Sequence, residues 1–160
     1  MRHFSMLLVL TSLLGFPGPA LSQYHWSRFT DSRGASIEYP ADIFATPERA
    51  EIGKAYASRD GRSRIHMYSV PNPKALTPAE FMRTQFPGPR SMLTYDRVAR
   101  NFFAISTRRQ GMIVYMTCNF SPYQGGTLHC VDIRYPQNEK AAWDGVVTRI
   151  SRSVRPLLPP

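Results

Sequence analysis

The chain has 160 residues, of which 42% are hydrophobic and 19% are charged. This composition is typical of a single globular domain and excludes an intrinsically disordered chain. The formal net charge is +9, and arginine supplies 17 of the 20 basic residues. A guanidinium group binds carboxylates and phosphates at two points, so the excess of arginine favours anionic partners. A high net charge serving solubility alone is the alternative.

The first 22 residues show the three regions of a signal peptide. Residues 1–3 are a short positive start, and residues 4–16 are largely apolar. Ala20 and Ser22 place small residues three and one positions before Gln23, which is the pattern that signal peptidase recognises. The apolar run is shorter than the roughly 20 residues needed to span a bilayer. A buried N-terminal helix is the alternative.

Export has consequences for the rest of the chain. Cleavage after residue 22 predicts a single domain at residues 23–160, located in the periplasm or secreted. The cleavage site has no Cys that could carry a lipid anchor. The compartment is oxidising, which permits disulfides, and it removes the chain from nucleic acid.

Two pairs of strands open the predicted domain. Residues 24–29 and 35–39 alternate like strands. Residues 53–58 and 63–70 follow, and Asp60-Gly61 between them is a strong signal for a hairpin turn. Pairing about this turn sets Lys54 against Met67 and Tyr56 against Ile65, so that the apolar side chains share one face. Small residues on the other face predict an open surface there.

Two helices are predicted further along the chain. The first helix is predicted at residues 77–86, where Thr77 and Glu80, three residues apart, can form a capping box at its start. Residues 139–153 carry an apolar stripe at helical spacing, and Asn138 before them is the expected N-cap.

Four further strands are predicted between these helices, at residues 93–100, 102–107, 112–120 and 128–135. Their short connections favour an antiparallel meander. The order of elements predicts an α+β domain, with an antiparallel sheet of about six to eight strands and two main helices packed on it.

Several segments resemble a known fold. These are Tyr39-Pro40 through Phe44, the Asp60-Gly61 hairpin, the cysteine pair Cys118 and Cys130, and the closing helix with its Trp143-Asp144-Gly145. Together they resemble the PsbP/Mog1-like sandwich, and a group of small exported proteins of alphaproteobacteria. The resemblance implies this fold, a periplasmic address and an accessory or binding role, and it implies no catalytic residues.

Cys118 and Cys130 are the two cysteines of the chain. If their hairpin is centred near Gln124, they face each other across it, at a separation that a disulfide tolerates. A redox or metal pair is the alternative, but a Cys-x-x-Cys motif is lacking. His129 lies next to Cys130 and points to the opposite face of the strand. A structural disulfide is therefore predicted.

The sequence contains no ordered catalytic or metal-binding set. His25, His66 and His129 fall on three different predicted strands, without the spacing of a helical metal site, and each is expected to be exposed or half-buried. A Ser-His-Asp set could be drawn with Asp132, but no Gly-x-Ser-x-Gly elbow accompanies it. Gly125-Gly126 precedes no helix, so it is not a phosphate loop. We expect no catalytic residue, no cofactor and no metal.

The best candidate binding surfaces are two basic clusters. The first lies on the hairpin of residues 53–70 and comprises Arg59, Arg62, Arg64, His66 and Tyr68. The second lies on the meander and comprises Arg97, Arg100, Arg108 and Arg109. Basic residues interleaved with aromatic residues can bind phosphates and stack on rings. A solvated basic face is the alternative, since arginine is normally exposed.

Three functions stay open at this point. The first is a non-catalytic periplasmic binding or accessory module for an anionic envelope component or an acidic exported protein. The second is an inhibitor or chaperone-like partner of another exported protein. The third is a small hydrolase, which the lack of an ordered catalytic set disfavours.

Cleavage between Ser22 and Gln23 is the first testable expectation. Expression of the whole chain in a bacterial host should give a periplasmic protein that begins at Gln23, because small residues precede that bond at the required spacing. Intact-mass measurement checks this. A mature protein that still contains Leu7 would contradict the assignment to the periplasm.

Overall fold

A computed structural model describes residues 24–121 and 126–156. The predicted signal peptide and its cleavage site lie outside the described residues. The strands are β1 (Trp26–Thr30), β2 (Ala35–Pro40), β3 (Thr46–Glu48), β4 (Lys54–Ala57), β5 (Arg64–Pro71), β6 (Leu93–Val98), β7 (Phe102–Arg109), β8 (Met112–Phe120), β9 (Thr127–Pro136) and β10 (Arg155–Pro156). The helices are α1 (Pro78–Gln85) and α2 (Lys140–Ser153).

One large antiparallel sheet has the strand order β3-β4-β5-β9-β8-β7-β6. The predicted hairpin register is confirmed, since Tyr56 faces Ile65 and Lys54 faces Met67. The meander from β6 to β9 is confirmed as well. β5 pairs along its whole length with β9, so the first long hairpin and the meander form a continuous sheet.

The sequence patterns missed two short strands. β3 pairs with β4, and β10 pairs with β2. These strands have only three and two residues, which is too short to show an alternating pattern. The α+β class is confirmed, and the seven strands of the large sheet agree with the predicted six to eight. β1, β2 and β10 form a second, three-stranded sheet.

One face of the large sheet, which we call the inner face, is covered by α2 and the three-stranded sheet. Trp143 of α2 stacks on Tyr135 of β9, with 5.1 Å between ring centroids. The hydroxyls of Tyr115 and Ser151 form a hydrogen bond of 2.7 Å between β8 and α2. The predicted apolar stripe of α2 is buried here, as Trp143, Val146, Val147 and Ile150.

The opposite face, which we call the outer face, is partly covered by α1. Phe81 of this helix packs against Phe103 and Phe120 of the sheet, at centroid distances of 6.2 and 6.1 Å. The predicted capping box is present: the Thr77 backbone N–H donates to the Glu80 carboxylate, and the Glu80 N–H donates to the Thr77 hydroxyl.

The predicted N-cap of α2 is wrong. A 3-10 turn at Gln137–Glu139 precedes the helix, and Glu139 is the N-cap, without a side-chain capping bond. The Glu139 carboxylate instead accepts from the Trp143 indole N–H and pairs with Arg62. The turn uses Asn138 as one of its own residues, which moves the start of α2 beyond it.

The disulfide is present. Cys118 on β8 and Cys130 on β9 are direct cross-strand partners, and their sulfur atoms are bonded. Both residues are fully buried on the outer face, in a cluster with Phe103 and Leu128. The bond therefore joins two central strands beneath α1.

Neither described helix is both long enough and apolar enough to cross a membrane.

Removal of this disulfide should lower stability. Replacement of Cys118 and Cys130 by Ala should reduce the free energy of unfolding by about 3 kcal/mol, because the bond closes a short loop in the unfolded chain. The two buried positions would also lose packing contacts. Urea unfolding of the variant, and of the parent with and without a reductant, checks this. A variant and a reduced parent that both match the oxidised parent would contradict it.

Candidate functional site

Two arginines of the hairpin cluster are paired with acids. The Arg62 guanidinium lies 2.7 Å from the Asp60 carboxylate and 2.6 Å from that of Glu139. Arg64 pairs with Glu48 of β3 at 3.1 Å. Arg59 is exposed on the turn. The charge of the cluster is thus largely compensated by neighbouring carboxylates.

The turn of this hairpin is organised around Asp60. Its carboxylate accepts hydrogen bonds from the Ser58 hydroxyl and from the backbone and side chain of Arg62. These bonds, the Ser58 hydroxyl foremost, lower the pKa of Asp60 to about 2. Asp60 therefore stays ionised at any physiological pH. Its carboxylate holds the Arg62 side chain by the bond to Nε.

His66 and Tyr68 lie on the outer face and form a half-buried cluster with Asp132. The two rings are stacked, with 4.5 Å between centroids. Asp132 lies directly opposite His66 on β9, and Tyr68 is near enough to lower the pKa of its carboxyl group. The His66 Nε2–H donates to the Ile52 carbonyl at 2.8 Å. This cluster is a polar patch on the outer face of the sheet, and Arg64 lies on the same face two residues before His66.

This face of the hairpin is less open than its small residues predict, because the chain before β4 closes over it. Gly53 has a φ of +69°, and a Cβ at this position would lie 2.0 Å from the Met67 carbonyl oxygen. The close approach is possible only for glycine. It helps to bury Tyr68, which is 8% exposed.

Asp132 supplies the carboxyl group of this cluster, and its pKa is strongly shifted. Burial raises its pKa to about 6, against opposing effects of the His66 charge and the Tyr68 hydrogen bond. Its Oδ1 is buried and has no hydrogen-bond partner among the described residues. Above about pH 6 Asp132 is ionised, and its buried charge then destabilises the folded state.

His129 lies on the inner face, as predicted from its alternation with Cys130, but it is fully buried, which the sequence did not indicate. Its central position between β5 and β8 explains this burial. Its Nδ1 shares a hydrogen bond of 2.8 Å with the Ser69 hydroxyl. Burial lowers the pKa of His129. The pair resembles part of a hydrolytic site in composition, but substrate cannot reach it.

A cleft of about 640 Å³ lies on the inner face. It lies between α2 and the strands β6, β7 and β8. Ala104 and Ser106 of β7 form its floor, and Tyr95 and Arg97 of β6 form one wall. The volume is in the range of sites that hold small molecules.

Arg97 has an unusual environment in this wall. Its guanidinium lies over the Phe102 ring, 5.3 Å from the centroid. Within residues 24–121 and 126–156, no carboxylate lies at ion-pair distance from it. A ring positions a cation without neutralising it, so Arg97 combines a restricted position with a free charge.

The other cations of the cleft differ in this respect. Lys140 of α2 is paired with Asp144 at 2.7 Å. Arg152, near the end of α2, has no ion pair within the described parts of the chain. Three cations and one carboxylate thus leave two positive charges at the cleft. The sequence pattern placed Arg97 in a predicted basic cluster, but no pattern indicated a binding role for Arg152 or the presence of the cleft.

Arg149 provides a useful contrast on the other side of α2. It lies over the Trp26 ring at 3.9 Å from the centroid, and it also pairs with Glu38. A shallow depression of about 540 Å³ lies there. Arg149 is thus positioned by a ring as Arg97 is, but it has an acidic partner, the Glu38 carboxylate, which it shares with Arg28.

No protein-family model matches the chain, and no curated protein matches it. Among solved structures it is similar to the solution structure of cyanobacterial PsbP (CyanoP) from Synechocystis sp. PCC 6803, with a TM-score of 0.61. The two are 13% identical, over 91% of this chain and 99% of that one. The chain has a PsbP-like fold. At 13% identity, the similarity to CyanoP shows the fold and carries no information about function.

The pKa of Asp132 predicts a pH-dependent effect of its replacement in this PsbP-like domain. A raised carboxyl pKa contributes stability that is present below about pH 4 and is lost as the pH rises through about 6. Asp132→Asn removes the buried charge, so it should stabilise the protein at about pH 7.5 by on the order of 2–3 kcal/mol. At about pH 4.5 its effect should be much smaller.

Thermal unfolding at the two pH values measures this difference. Asp144→Asn is the matched control, because Asp144 is exposed and its replacement should change stability only slightly at either pH. An Asp132→Asn variant that destabilises the protein equally at both pH values would show that Asp132 is stabilising in its ionised form.

Proposed function

We propose that the protein is an exported, non-catalytic binding module that engages an anionic component of the cell envelope or an acidic exported protein. One observation supports this most directly: Arg97 is held by a ring, faces the cleft and has no acidic partner among the described residues. Arg152 adds a second uncompensated charge to the same cleft. An anion bound there would meet cations that are already positioned.

The hairpin cluster of Arg59, Arg62, Arg64, His66 and Tyr68 stays a second proposed site for the same class of ligand. An anion there would compete with Asp60, Glu139 and Glu48 for Arg62 and Arg64. It would gain less from each contact than at the cleft, since existing ion pairs must be broken first. The cleft is therefore the better supported location.

The alternative of an inhibitor or chaperone-like partner is favoured by a different feature, the exposed edge of the large sheet. β6 is the last strand at that edge, and most of its residues are exposed. Tyr95 and Val98 on this strand are 46% and 38% exposed. Such an edge can accept a strand of another protein.

A hydrolase is the least supported alternative. The Ser69–His129 hydrogen bond lies in the core, where substrate would require the sheet to open. His66 and Asp132 are more accessible, but the His66 Nε2–H is already bonded to the Ile52 carbonyl. A group of three or more candidate metal ligands was not found within the described residues.

Binding of a polyanion should depend on the cleft more than on the hairpin. Affinity of residues 23–160 for heparin or for vesicles of phosphatidylglycerol should fall as NaCl rises from about 50 mM to about 300 mM, because salt screens such contacts. Arg97→Glu with Arg152→Glu should weaken binding by about tenfold or more at low salt. Arg62→Glu with Arg64→Glu should weaken it by no more than about threefold.

The two double variants change net charge equally, so the comparison separates location from charge. If only the hairpin variant loses affinity, the hairpin is the site. If both bind as the parent does, the arginines are a solvated surface. Binding that saturates but ignores salt would favour the partner-protein alternative.

A further inference from the structure

We infer that the cleft between α2 and strands β6–β8 binds a small molecule in which an oxyanion is carried on an aromatic ring. The inference rests on the proposed function, because it takes the same cleft and names the chemical class of its ligand. It depends on an exposed ring, a positioned cation and a floor of small residues that occur together.

The exposed ring is Tyr95. Tyr95 and Arg97 are two residues apart on β6, so their side chains project from the same face of the sheet. Both line the cleft, and Tyr95 is 46% exposed. A large aromatic side chain that is half exposed beside a free cation offers one surface for stacking and one group for charge pairing.

The floor leaves room for a ring beside these side chains. Across the β6–β7 pairing, Tyr95 faces Ser106 and Arg97 faces Ala104. Both floor residues are small and buried. A planar group stacked on Tyr95 would rest on this floor without displacing a large side chain.

The guanidinium group of Arg97 is positioned so that it can bind an oxyanion. Phe102 occupies one face of its guanidinium, which leaves the N–H groups in the guanidinium plane to donate. Carboxylates, sulfonates and phosphates accept from this fork at two points. Because no acid within the described ranges competes for it, the anionic group of a ligand would be its first charged partner.

The size of the cleft favours a ring-bearing anion over an inorganic anion or a polyanion. A phosphate or sulfate ion alone would fill a small part of about 640 Å³. A polyanion would contact the rim and would not need Tyr95. Only a ligand with both parts uses the exposed ring and the positioned cation together.

Three probes separate these possibilities on residues 23–160. The first is 8-anilinonaphthalene-1-sulfonate, an aromatic sulfonate. The second is N-phenyl-1-naphthylamine, which has the same rings without the sulfonate. The third is inorganic sulfate. We expect the aromatic sulfonate to bind at one site and at least about tenfold more tightly than either other probe, because each lacks one of the two contacts.

Variants locate this binding. Arg97→Gln and Tyr95→Ser should each weaken it about fivefold to tenfold, whereas Arg100→Gln, an equal charge change on an exposed arginine outside the cleft, should not. Phe102 is a positioning residue: Phe102→Leu should weaken binding, and Phe102→Tyr should restore it. Arg97 and Tyr95 are exposed on an edge strand, so folding should tolerate both changes, and near-UV circular dichroism of each variant checks this.

Backbone amide shifts on titration with the aromatic sulfonate give a readout independent of the variants. Shifts confined to β6, β7 and α2 support the inference, and shifts centred elsewhere overturn it. Equal binding of the neutral probe also overturns it. If the aromatic sulfonate fails to bind while heparin binding still depends on Arg97 and Arg152, the inference fails and the proposed function stands. If neither binds, both fail.

Discussion

The large sheet is wider than the layer formed by α2 and the three-stranded sheet on its inner face, and the cleft results from this difference in width. Seven strands at about 4.8 Å spacing span about 29 Å, while a helix with its side chains is about 10–12 Å across. α2 lies over β9 and β8, and Tyr39 of the small sheet stacks on Tyr56 of β4. The covering layer ends short of β6, so Tyr95 and Arg97 on the inner face of that strand are exposed, while Ala104 and Ser106 of β7 are buried. The cleft is the space that this arrangement leaves beside α2.

The distribution of ion pairs determines which parts of a strongly basic surface remain available to an anion. Arg62 and Arg64 are paired with acids, and Arg149 shares the Glu38 carboxylate with Arg28 although a ring also positions it. Arg97 differs because its support is aromatic only. A net charge of +9 thus says little about where an anion would bind. The local pairing of each arginine decides that.

The parts of the structure that depend on local pattern could be predicted from the sequence. The Asp60-Gly61 turn determined the hairpin register, and the spacing of Cys118 and Cys130 about their own turn determined the disulfide. The α1 capping box was equally local. The ion pair of Arg62 with Glu139 and the contact of His66 with Asp132 could not be predicted, because they depend on the pairing of β5 with β9 across a long stretch of sequence. The cleft depends on the placement of α2 against β6 and β7, which no local pattern encodes.

Strand β9 carries two buried ionisable groups on opposite faces, and their effects on proton exchange oppose each other. Folding raises the pKa of Asp132 and lowers that of His129. Folding therefore favours the protonated form of Asp132 and the neutral form of His129. Unfolding favours proton release at Asp132 and proton uptake at His129, so the two groups contribute with opposite signs to the linkage between folding and pH. The part of the pH dependence of folding that arises on β9 is therefore smaller than the larger of these two contributions alone.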